Sequence, residues 1–179
     1  MSDNNEDLVA SNFEQYVSLV GKFDEVQINS LIENEGPRLA TSPSNAQKDE
    51  HGCFNGGMIQ DTLNILEAMR KLDIVAGKEA DQKSLWKVAL LHNIGTIGST
   101  EEDMFLPQDS DWHIEKLGLL YKRNQGLKTT NTERTIQILS KYGVELSAEE
   151  FFAILSIDKE KPLNYLGRLL TAARTIVCK

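Results

Sequence analysis

The sequence predicts an all-α domain, a bundle of about seven or eight helices, on three observations. Apolar residues recur at three- and four-residue spacing through most of the chain. Two helix starts carry capping-box spacing. No segment sustains the period-two alternation of a half-buried strand. At 179 residues the chain suits one domain with a full core and is short for two ordinary ones.

The elements follow in chain order. Residues 1–11 are polar and acidic and are expected to be a flexible terminus, leaving 12–179 as the single domain. Segments 12–20 and 25–33 read as two short helices, the first marked by Phe13, Tyr16, Val17 and Val20. Gly36-Pro37 should break the pattern, and 36–55, rich in Ser, Pro, Asn and Gly, reads as a long irregular segment of a kind that often carries function. It ends in His51-Gly52-Cys53-Phe54-Asn55-Gly56-Gly57, whose glycines permit a tight entry into the next helix.

Residues 58–72 form a strong amphipathic pattern, with Ile59, Leu63, Leu66 and Met69 on one side. Segment 83–94 is nearly apolar from Val88 to Leu91, so it should be the buried central helix, stopped by Gly95 and Gly98. Another helix is expected over 111–123. Thr130-Asn131-Thr132-Glu133 opens a helix that stops at Gly143, and Ser147-Ala148-Glu149-Glu150 repeats the start signal. Pro162 suits the first turn of a last helix that runs to about Val177.

Composition narrows the function classes. The formal charge of −8 argues against a duplex-binding surface, though a local basic pocket for a small phosphate ligand remains open. Cys53 and Cys178 stand alone without a CxxC partner, which excludes a disulfide scaffold and a structural zinc cluster and fits a reducing compartment. The start has neither the basic nor the apolar region of a secretion signal. No apolar stretch approaches the ~20 residues needed to cross a bilayer, so no membrane role and a cytoplasmic location are expected. No phosphate-binding loop, GxSxG elbow or HExxH helix occurs.

Three blocks resemble small HD-domain proteins, including those encoded by tailed bacteriophages. The first is His51 to Leu63, similar to that family's Gly-Gly-Leu-x-x-His-Ser/Thr-Leu segment. The second, Ala89-Leu90-Leu91-His92-Asn93-Ile94-Gly95-Thr96-Ile97-Gly98, is similar to Leu-Leu-His-Asp-Ile-Gly-Lys-Ile-Gly. The third joins Asp111-Trp112-His113-Ile114-Glu115-Lys116-Leu117-Gly118 to Glu133-Arg134-Thr135-Ile136-Gln137-Ile138-Leu139-Ser140-Lys141-Tyr142-Gly143.

The resemblance implies an HD-domain-like helical bundle and metal-dependent phosphohydrolase chemistry, but with a degenerate ligand set. Asp61 stands at the position of the family's first His, and His92 matches its counterpart. Asn93 replaces the Asp, Thr96 the Lys, and Asn131, Ile157 and Arg174 fall near two further His and a late Asp. An amide oxygen is neutral and cannot bridge two cations, which a two-metal hydrolase requires at ~3.5–4 Å separation.

The candidate catalytic pocket is therefore His92, Asn93 and His113, and the candidate metal ligands are Asp61, His92 and His51. No cofactor is expected, or else a single divalent metal (Mn, Fe, Zn or Mg). Each residue also has a plainer reading. His92 suits a core histidine bonded to a backbone carbonyl, Asp61 a solvated helix residue, and His51 an exposed one. His113 suits packing under the 99–110 loop beside Trp112. Lys116, Lys122 and Arg123, on one expected helix, suit either a phosphate or a solvated face. Neither cysteine has the context of a nucleophile.

The function expected is a catalytically impaired HD-like protein, a binding or regulatory module for a small phosphate ligand or a protein partner. The alternatives are an active metal-dependent phosphohydrolase and an assembly protein in which the old pocket has no role.

Overall fold

Apolar stripes at helical spacing put most of the described residues into eight α-helices, as the pattern predicts. The computed structural model describes residues 3–178, with side chains from Glu6 to Cys178. The helices are α1 (Asp3–Val20), α2 (Val26–Thr41), α3 (Gly57–Val75), α4 (Gln82–Leu91), α5 (Asp111–Leu117), α6 (Asn131–Lys141), α7 (Ala148–Leu155) and α8 (Tyr165–Val177). A small antiparallel sheet pairs β1 (Phe105–Pro107) with β2 (Tyr121–Arg123). Among the described residues no helix is long and apolar enough to cross a membrane.

α3 lies along α8 and against α4, and α7 closes over α4 and α8. α4 is the central helix that its apolar run predicts: Leu85, Val88, Ala89, Leu90 and Leu91 are all buried. Asp81 caps it by accepting from the Ser84 amide at 2.8 Å. Its one buried cation, Lys87, donates to both Glu25 carboxylate oxygens at 2.9 Å and to the Glu145 carbonyl at 2.7 Å. Those three acceptors are what make the burial tolerable. Both expected capping boxes form, Thr130 with Glu133 at α6 and Ser147 with Glu150 at α7.

Several boundaries differ from expectation for physical reasons. Residues 3–11, expected to be flexible, belong to α1; Met1 and Ser2 lie outside the described residues. α2 continues through Gly36-Pro37 to Thr41. Pro37 removes one backbone donor, but the turn beyond it is held by Arg38, which donates to Glu35, to Asp103 and to the carbonyls of Ile97, Ser99 and Glu102. Irregular chain therefore begins at Ser42.

α4 ends at Leu91, with His92 as its C-cap, and the chain tightens into a 3-10 turn at Ile94–Ile97 before Gly98. Of the helix expected over 111–123 only Asp111–Leu117 forms. Gly118 turns it off with φ 64°, and Tyr121–Arg123 pairs with β1 instead. Three residues per strand are too few for alternation to register. Pro162 precedes the last helix, which Asn164 caps by accepting from Gly167 at 2.7 Å.

The 3-10 turn meets α6 at backbone distance. A Cβ on Gly95 would lie 2.2 Å from the Asn131 carbonyl oxygen and 2.5 Å from the Thr135 nitrogen. Gly95→Ala is expected to lower the unfolding free energy by about 3 kcal/mol, because backbone and not a flexible side chain must give way. Urea unfolding measures it. Gly21→Ala is the control, since nothing lies within 4 Å of a Cβ there.

Candidate functional site

His92 is fully buried. Its Nδ1 stands 2.8 Å from the Ala89 carbonyl oxygen, which only accepts, so Nδ1 carries the proton and Nε2 the lone pair. Nε2 has no hydrogen-bond partner among the described residues. Desolvation, reinforced by the Arg174 guanidinium, pushes the imidazole pKa down to about 3. This is the core histidine of the plainer reading, neutral at physiological pH.

Asn93 sits in a polar network in which Asn131 Oδ1 is left without a partner among the described residues. Asn93 Oδ1 accepts from the Thr96 hydroxyl at 2.8 Å and from Asn131 Nδ2 at 2.7 Å. Asn131 Nδ2 also reaches Thr96 Oγ1 at 3.0 Å. Beside it, the Thr135 hydroxyl donates to the His92 carbonyl at 3.1 Å and accepts from the Gly95 amide at 2.9 Å. Arg134 Nε donates to the Gly95 carbonyl at 2.8 Å.

The expected metal ligands separate. His51 and Asp61 come together: His51 Nε2 accepts from Asn45 Nδ2 at 3.0 Å, so Nδ1–H donates to Asp61 Oδ2 at 2.7 Å. Asp61 is buried on α3, contrary to the solvated alternative, and His51 is 28% exposed at its side chain. The third member of the cluster is Cys178, the C-cap of α8, and not His92. Donor atoms of His51, Asp61 and Cys178 all lie within 4.8 Å of one another. Burial raises the Cys178 thiol pKa, with Arg174 opposing that rise and Asp61 adding to it. Sequence reasoning missed Cys178, because its closeness to Asp61 arises only when α8 packs along α3.

A paired-metal centre does not fit these residues. Both hydrogen bonds to Asn93 converge on its single amide oxygen, and Arg174 sets a positive charge against the His92 ring. A cation there would meet a spent acceptor and a like charge.

His113 stands apart from this cluster. Its Nδ1 is 2.7 Å from Ser110 Oγ, and its ring lies edge-on to Trp112 at 5.2 Å between centroids. Ser110 is the N-cap of α5, and its hydroxyl takes both the His113 amide and the His113 ring as partners. The three cations expected on one helix are dispersed. Lys116 is on α5, whereas Lys122 of β2 pairs with Asp109 at 2.7 Å and Arg123 lies over the Phe105 ring.

A separate cleft of about 320 Å³ opens between the end of α2 and the small sheet, lined by Pro37, Thr41, Asn55, Phe105 and Tyr121 among others. Arg38 borders it with its guanidinium already committed. No protein-family model, curated protein or solved structure matches the chain.

The buried neutral imidazole has a pH consequence. Its folded pKa lies below the unfolded value of 6.5, so the unfolded chain binds the proton more tightly. The stability this contributes is complete above that value and declines as pH falls toward about 3. The unfolding free energy of the native chain relative to His92→Gln is expected to fall by about 1.4 kcal/mol per pH unit below ~6. Urea titrations at matched pH read the slope; a flat difference refutes the assignment.

Proposed function

We propose that this chain is a binding module on an HD-like helical scaffold, with its hydrolytic centre replaced by internal hydrogen bonds. The observation that carries this reading is the Asn93–Thr96–Asn131 triangle. A hydrolase needs open acceptors at that point, whereas here the amide oxygen serves to join the end of α4 to α6. Binding falls to the cleft beside the small sheet, whose ~320 Å³ suits a small ligand.

The chemistry of that cleft favours an apolar or aromatic ligand with a hydrogen-bonding edge over a phosphate. Phe105, Tyr121 and three prolines line it, and the Tyr121 hydroxyl already donates to Asn55 at 3.0 Å. An anion would have to compete with Glu35, Asp103 and three carbonyls for Arg38. A regulatory role follows if ligand binding shifts the small sheet, whose Phe105, Pro107 and Tyr121 line the cleft.

The second reading, an active single-metal phosphohydrolase, draws on the free Nε2 lone pair of His92. The two readings separate in one experiment. Phosphomonoester and phosphodiester substrates are offered with Mn²⁺, Zn²⁺ or Mg²⁺, to the native chain and to His92→Ala. No turnover above the metal-only blank is the expected result. Metal-dependent turnover that His92→Ala abolishes would establish the hydrolase instead.

A further inference from the structure

We infer that His51, Asp61 and Cys178 form a single-ion site for zinc or a similar thiophilic dication, which clasps the 42–56 segment and the end of α8 to α3. This goes beyond the binding role proposed above and does not depend on it. Neither His92 nor Asn93 takes part.

Geometry comes first. The three donor atoms already lie within 4.8 Å of one another, and His51 Nδ1 and Asp61 Oδ2 are 2.7 Å apart. Tetrahedral zinc with bonds of about 2.0–2.3 Å needs donors about 3.3–3.8 Å apart. The closest pair must therefore open, and the widest close, by roughly an ångström. Three protein donors leave a fourth position for water, and a neutral imidazole, a carboxylate and a thiolate supply two negative charges for a dication.

The surroundings supply a second observation. The Ser44 hydroxyl is buried without a hydrogen-bond partner among the described residues. It and Asp61 Oδ2 each lie 2.6 Å from the point where a Gly52 Cβ would sit. Gly52 thus keeps side-chain bulk out of a small polar space that Ser44, His51 and Asp61 border. A hydroxyl is left without a partner at the place where the oxygen of a water held by the ion could pair with it.

The Cys178 thiol gives up its proton when sulfur binds the ion. Coordination through His51 Nδ1 moves the ring proton to Nε2, where rotation of the Asn45 amide presents its oxygen as acceptor. That is the outer-shell hydrogen bond that zinc-bound histidines keep.

The test uses Co²⁺ as a spectroscopic stand-in for zinc. Chelator-stripped full chain is titrated with Co²⁺ and then with Zn²⁺. The expected result is one equivalent of Co²⁺, a sulfur-to-cobalt charge-transfer band, intense visible bands of four-coordinate cobalt, and their loss on adding zinc. Cys178→Ser should remove the charge-transfer band, while Cys53→Ser keeps it. His51→Ala and Asp61→Asn should each weaken affinity more than about tenfold. Circular dichroism checks the fold of each variant. If Asp61→Asn fails to fold, Cys178→Ser at the edge of α8 carries the test alone. A native chain without the charge-transfer band, or a band that survives Cys178→Ser or vanishes in Cys53→Ser, overturns the site.

Discussion

The close approach of two backbones at Gly95 is the constraint on which this structure turns. With no Cβ at that position, α6 comes near enough for Thr135 to hold both the His92 carbonyl and the Gly95 amide. The same proximity lets Asn131 reach Asn93 and Thr96. Buried polar groups cost about 1–3 kcal/mol each when left unmatched, so the end of α4 is stable in this form only because α6 supplies partners. The central helix therefore ends in a hydrogen-bonded knot. His92 is held neutral by the same lack of water.

Most of the helical order can be read directly in the residues. Ser147 and Thr130 declare the starts of α7 and α6 because capping is a local interaction between residues three apart. The apolar run ahead of His92 declares burial for the same local reason. The misses come from interactions distant in sequence. Gly36-Pro37 looks like a stop until Arg38 is seen tied to the 97–103 loop, some sixty residues on. Likewise 111–123 looks like one helix, since pairing of β2 with β1 depends on a partner strand and not on its own pattern.

The candidate residues divide along the same line. Asp61 and His51 lie ten residues apart on a turn and the helix it enters, and the structure joins them. His113 stays local: its ring pairs with Ser110, the N-cap of its own helix, and lies edge-on to Trp112. Cys178 could not be assigned to Asp61 from sequence, because α3 and α8 meet only through the packed core. The identity of the network partner Asn131 was likewise visible, as an amide where the resemblance expects a histidine, but its hydrogen bonds were not.

Arg38 carries one more implication. The 98–124 excursion holds both short strands and α5, and α5 buries no residue. The excursion is linked to the rest of the fold by the Arg38 guanidinium, which holds Asp103 and the Ser99 and Glu102 carbonyls, and by backbone bonds of Gly118, Leu120 and Tyr121 to Ala46 and Lys48. Such a region can detach as a cooperative unit while the other seven helices keep their protection against amide exchange. The molecule thus has two tiers of stability joined at Arg38 and along residues 46–48, and the cleft lies along the seam between them.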